Sequence, residues 1–165
     1  MYERALKLSP DSSVAHYNIG TALAAQGNFN EAAQHLQKAV TLKSDYVDAH
    51  INLGNTLARL GKAEEAIQHF DVAVRLKPGV AKNRIILGNA LGREKKFGAA
   101  VEQFEQALRI EPDNAEALLG IGSALVAQGD TKQAVKYLRQ ALALATTQAN
   151  PDLAEYIREQ INRCR

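Results

Sequence analysis

Glycines at 20, 54, 88 and 122 stand 34 residues apart, and no other feature of this 165-residue chain limits its fold so tightly. Several other series keep the same period. Ala32, Ala66, Ala100 and Ala134 form one, and Ala39, Ala73, Ala107 and Ala141 form another. Between them fall the larger Leu36, Phe70, Phe104 and Leu138. Gly27 and Gly61 share the spacing, with Gly129 two periods later, and so do Pro78 and Pro112. A period of this size marks one supersecondary unit that cannot bury its apolar face alone and must stack on copies of itself.

Each unit reads as two helices. The first runs from about Val14 to Ala25 and the second from about Phe29 to Leu42, with later units offset by 34. Apolar residues recur at helical spacing, as in Ile19 and Leu23, then Ala32, Leu36 and Ala39. Gly27, Gly61 and Gly129 separate the two helices, where glycine relieves the steric cost of a left-handed cap. Asn28 with Glu31, Asp113 with Glu116, and Asp130 with Gln133 match capping pairs. Pro78 and Pro112 stop the second helix. The mid-helix glycines each weaken their helix by about 1 kcal/mol relative to alanine. Such a repeated penalty implies close approach of the partner helix, with the alanines at 32 and 39 and their equivalents as the opposing shallow surface.

With these residues in place, the chain resembles the tetratricopeptide repeat family. The resemblance covers four units, 13–46, 47–80, 81–114 and 115–148. Residues 1–12 resemble the second helix of an incomplete earlier unit, with Tyr2, Ala5 and Pro10 at the large, small and proline positions. It implies an all-α fold, a right-handed α-solenoid of antiparallel helix pairs. Two departures stand out. The family's frequent Trp position holds His16, His50, Arg84 and Leu118, and the third inter-helix glycine is replaced by Lys95, where the turn is expected to differ. The segments Ala15–Thr21 and Ala49–Asn55 are most similar to the repeats attached to O-linked N-acetylglucosamine transferase and to bacterial relatives.

A stack of such units needs polar outer ends. At the C-terminus Asn150 can cap, Pro151 suits a first helical turn, and Leu153, Ile157, Ile161 and Cys164 form one apolar stripe, so 149–165 reads as a capping helix. The N-terminus opens in half a unit and leaves Leu6 and Leu8 without cover. The expectation is a fragment of a longer protein, or an end that self-associates with another copy.

Several chemistries are set aside. Twenty Lys and Arg against eighteen Asp and Glu leave a formal charge of +2, unlike the basic excess of a nucleic-acid binder. No apolar run approaches the ~18 residues of a membrane span, and no signal-peptide core opens the chain, so no membrane contact is expected and the cytoplasm is the default location. The single cysteine excludes an intramolecular disulfide and a thiolate-rich zinc site. His16 and His50, like His35 and His69, are 34 apart; stacked helices about 10 Å apart would hold them too far from one another for shared ligation. Gly120 and Gly122 mimic part of a dinucleotide loop but sit within a helix and follow no strand. Neither a metal nor another cofactor is expected, and no catalytic set is assembled.

In the family the first helices line a concave surface. By that resemblance the inward rows are Val14, Asp48, Lys82 and Glu116; Tyr17, Ile51, Ile85 and Leu119; Thr21, Asn55, Asn89 and Ser123; and Ala25, Arg59, Arg93 and Ala127, with Asn18 and Asn52 nearby. The second row is apolar. The asparagines can both donate to and accept from a peptide backbone. Arg59 and Arg93 suit carboxylates, unless they pair with Asp48 or Glu94. Some family members clamp the C-terminal carboxylates of heat-shock chaperones. The two registers here offer Tyr17, Thr21, Asn55, Lys82 and Ile86, or Ile51, Asn55, Asn89, Glu116 and Gly120, and neither completes that set. The expected function is a non-catalytic scaffold for a protein or peptide. A substrate-recruiting appendage of a larger enzyme, such as a bacterial glycosyltransferase, is the alternative, as is a module that self-assembles through stacked ends.

Overall fold

A computed structural model describes residues 11 to 164 of the chain. The expected half-unit at 1–12, with Leu6 and Leu8, falls almost entirely outside the described residues. Within them every regular element is an α-helix. The first pair is α1 (Ser13–Ala25) and α2 (Phe29–Leu42), followed by α3 (Val47–Arg59) and α4 (Ala63–Leu76). Then come α5 (Ala81–Arg93) and α6 (Phe97–Ile110), and α7 (Ala115–Ala127) with the longer α8 (Thr131–Thr147); α9 (Pro151–Arg163) closes the series. The described residues form two compact units that divide between Pro78 and Gly79. The first contains α1 to α4 and the second α5 to α9.

The helix pairs are closed by one repeated turn. The amide of Asn28 donates to the Leu23 carbonyl at 2.9 Å, Lys62 to Leu57 at 2.9 Å, Lys96 to Leu91 at 2.9 Å and Asp130 to Leu125 at 3.0 Å. This bond across the last helical turn needs the residue before it in the left-handed region. Gly27, Gly61 and Gly129 supply φ of 85°, 77° and 87°. Lys95 does the same at φ 58°. The expected local difference at Lys95 is therefore absent: the turn is kept, and a lysine with a Cβ bears the strain.

The glycines inside the first helices are packing devices. A Cβ on Gly20 would lie 2.6 Å from Leu36 Cγ, and one on Gly54 would lie 2.5 Å from Phe70 Cε1. On Gly88 it would lie 2.8 Å from Phe104 Cε1, and on Gly122 2.7 Å from Leu138 Cδ2. The large residue of each second helix thus sits directly on the glycine. The expected alanines share that contact through their backbone in two pairs, Ala32 O at 3.0 Å from the Gly20 Cβ position and Ala134 O at 3.4 Å from that of Gly122, but the large residue is nearer. The alanines at 32, 39 and their equivalents are at most 1% exposed and let the helix backbones close around that contact.

Two of the three expected capping pairs differ in detail. Asn28 makes no side-chain cap, and the cap of α7 is Asn114, whose Oδ1 accepts from the Ala117 amide at 3.0 Å, rather than Asp113. Asp130 does cap α8, accepting from Gln133 N at 3.0 Å, while the Gln133 amide returns to the carboxylate at 2.7 Å. At the C-terminus, Asn150 Oδ1 accepts from Leu153 N at 3.1 Å and Pro151 opens α9. There Ile157 is fully buried against Leu118, Leu138, Ala141 and Ala145, with Leu153, Ile161 and Cys164 packed around it.

Candidate functional site

In the first unit the relevant residues come from α1 and α3. Asn52 donates its amide to Thr21 Oγ1 at 3.0 Å and approaches the Tyr17 hydroxyl at 3.4 Å. The Tyr17 ring rests on Tyr46 with centroids 4.8 Å apart, and burial, aided by Tyr17 and Asp48, holds the Tyr46 phenol above its usual pKa. Arg59, one of the two arginines offered for carboxylates, lies over the Phe29 ring with its guanidinium 5.4 Å from the centroid. The recess left among Thr21, Phe29, Asn52, Asn55 and Arg59 is about 150 Å³. Asn18, Asp48 and Asn55 are exposed and Ile51 is half-buried.

In the second unit α5 and α7 supply the equivalent residues. Asn89, Arg93, Leu119 and Ser123 share one cavity of about 680 Å³, together with Glu116. Lys82 is exposed and borders a second recess of about 700 Å³ with Glu111, Asn114 and Gln148. Ile85 lines that recess too, but it is only 5% exposed, so the apolar row belongs partly to the core there. Neither Arg59 nor Arg93 forms an ion pair with Asp48 or Glu94; the described ion pairs lie elsewhere, such as Arg75 with Asp71 at 3.0 Å. Sequence reasoning missed Phe97, Phe104, Gly92 and Tyr156, which complete the cavity that Asn89 and Arg93 share. The repeat offset would have found Phe97, which stands 68 residues after Phe29.

The 34-residue ladder aligns His16 with His50 and His35 with His69, but the histidine contacts lie within each helix pair. Nδ1 of His16 is 3.1 Å from Nδ1 of His35, and the same atoms of His50 and His69 are 3.0 Å apart. His50 Nε2 also lies 3.1 Å from the Ser44 carbonyl. That carbonyl can only accept, so His50 donates from Nε2, and in a neutral ring its Nδ1 then accepts from His69. Burial, then the facing histidine, lowers the pKa of both His35 and His69, with Glu31 and Glu65 opposing. The same interhelical position in the third pair is filled by Arg84 Nη1 donating to Gln103 Oε1 at 3.3 Å, which leaves the buried Arg84 Nε without a hydrogen-bond partner. Among the described residues no group of three or more His, Cys, Asp or Glu side chains could hold a metal ion.

No described helix is long and apolar enough to cross a membrane. Four family models match the chain. Three are described as tetratricopeptide repeat, over residues 1–34, 47–80 and 87–152, and one as TPR repeat over 20–61. No curated protein sequence matches significantly. Among solved structures, MamA superposes with a TM-score of 0.84 at 26% identity, over 90% of this chain and 86% of its own. YrrB, described as a TPR protein with an unusual peptide-binding site, superposes at 0.82 with 23% identity, over 96% of this chain and 80% of its own. A MamA fragment from Desulfovibrio magneticus RS-1 does so at 0.82 with 20% identity, over 89% and 83%. The expected α-solenoid class is the one these structures share.

Proposed function

The chain belongs to the tetratricopeptide repeat family, and from that premise we propose that it is a protein-interaction scaffold whose first helices hold an extended segment of a partner. One observation carries the reading. In each unit the cleft between consecutive first helices is lined by side chains that can bond a peptide: Asn55 and Arg59 in one, Asn89, Arg93 and Ser123 in the other. Asn55, Asn89 and Ser123 are all exposed. An exposed asparagine can accept from a backbone amide and donate to a carbonyl at once, which favours grip on the main chain over reading of one sequence. Arg93 adds a forked donor for an acidic side chain. The peptide-binding site named for YrrB lends the same reading support by analogy of fold.

The test is binding of peptides selected from a display library on the purified chain. Asn55→Ala combined with Asn89→Ala should weaken binding at least tenfold and leave the helical circular dichroism unchanged. Undiminished affinity would remove the asparagines from the site, and failure to select any peptide would remove the function.

A further inference from the structure

The two clefts occupy the same place in the repeat and differ in what fills them. In the first unit the protein's own side chains fill it: Asn52 reaches Thr21 at 3.0 Å and Arg59 covers the Phe29 ring. Sixty-eight residues on, Gly120 stands for Asn52, Gly92 for Ala24 and Ala127 for Arg59, while Phe97 keeps the place of Phe29. All three exchanges shorten side chains; the recess is about 680 Å³ here against about 150 Å³ there, and its wall also includes Leu153 and Tyr156 of α9, which have no counterpart around the first. Internal packing accounts for Gly120, since a Cβ there would lie 2.5 Å from Phe104 Cζ. It does not account for Gly92, whose Cβ would meet nothing within 4 Å. Gly98 likewise meets nothing, but the space beside Gly92 is part of the cavity.

What remains is bounded by rings. Phe104 borders the cavity between Gly88 and Gly120, and Phe97 and the half-exposed Tyr156 border it as well. Aromatic rings on the walls favour a further ring between them. The rim carries opposite charges. Glu116 is in the first turn of α7 and Arg93 ends α5. Consecutive first helices run in the same direction, so the level of Arg93 is that of Ala127, about 16 Å along the axis from Glu116 at 1.5 Å per residue. Neither side chain forms an ion pair among the described residues. We infer that this cavity is a pocket for an aromatic side chain of a bound polypeptide, with a basic residue of the same segment toward Glu116 and an acidic one toward Arg93.

The inference rests on the scaffold reading and adds to it the chemistry of the bound segment. The chain has no tryptophan, so the fluorescence of a peptide tryptophan reports its own environment. Peptides selected on the wild-type chain should share an aromatic residue flanked on opposite sides by basic and acidic residues. A tryptophan version should shift to the blue on binding, and replacing that tryptophan by alanine should cost at least tenfold in affinity. Gly92→Leu should cost as much with helicity unchanged, since positions 24, 58 and 126 already carry Ala, Ala and Val. Selected peptides that lack an aromatic residue, or that bind Gly92→Leu as well as wild type, would overturn the pocket and leave the scaffold standing. If no peptide is selected, both fall together.

Discussion

Gly54→Ala tests the packing principle of the fold at one of its tightest points. The added Cβ would meet three carbons of the Phe70 ring at 2.5, 2.8 and 2.9 Å. To regain the 3.4 Å of ordinary contact the ring must retreat about 0.9 Å from its nearest approach. Phe70 is 3% exposed and has no open side to retreat into. Overpacking of this kind costs about 1–3 kcal/mol. Alanine's better helix propensity offsets about 1 kcal/mol of that. The net expectation is a loss of up to about 2 kcal/mol. Gly98→Ala is the control: a helical glycine whose Cβ would meet nothing within 4 Å, so the same exchange should stabilise by up to about 1 kcal/mol. Urea unfolding followed by circular dichroism reads both, with the m-value checked because stacked repeats can lose two-state behaviour. Phe70→Leu removes the Cε1 and Cζ atoms of the clash, so in a double-mutant cycle it should relieve part of the Gly54→Ala loss. If Gly54→Ala instead stabilises as Gly98→Ala does, the glycines are not there for close approach and the packing argument fails.

Lys95→Gly should stabilise the chain by about 1 kcal/mol, the strain of an L-residue in the left-handed region less the extra backbone freedom of glycine. Gly61→Ala, in the same turn, should lose a comparable amount, and chemical denaturation of both variants checks the sign. The histidine pairs set a pH dependence. The folded pKa values of His35 and His69 lie below the 6.5 of the free side chain. Above 6.5 both states are neutral there and the contribution is whole. As the pH falls below 6.5 the unfolded chain binds protons that the folded chain resists, so stability declines toward the lower folded values. Melting temperatures at about pH 7.5 and about pH 5.5 should show this loss, and His35→Gln with His69→Gln should reduce it. A loss equal in the variant would assign it to other groups.

The legible part of this protein was whatever the repeat multiplies. Helix ends, the inter-helix turn and the glycine contacts recur with each unit, so each was read several times over, and α1 to α7 keep the expected 34-residue offset. The unread part depends on contacts between the two helices of a pair. The 19-residue step that joins His16 to His35, His50 to His69 and Arg84 to Gln103 is not a helical period, so no reading along one helix reveals it. It follows from the length of the turn, which folds α2 back on α1. The same limit explains the cavity. Read singly, Gly92 is a small helix residue, Gly120 belongs to a false dinucleotide motif and an incomplete clamp set, and Ala127 is one member of an inward row. Their meaning lies in the difference from Ala24, Asn52 and Arg59 at the same place two units earlier. In a repeat chain the shared positions specify the fold, because every unit must satisfy the same packing. Function is then to be sought where one unit departs from the others without a packing reason and the departure lines a cavity, and Gly92 is such a position.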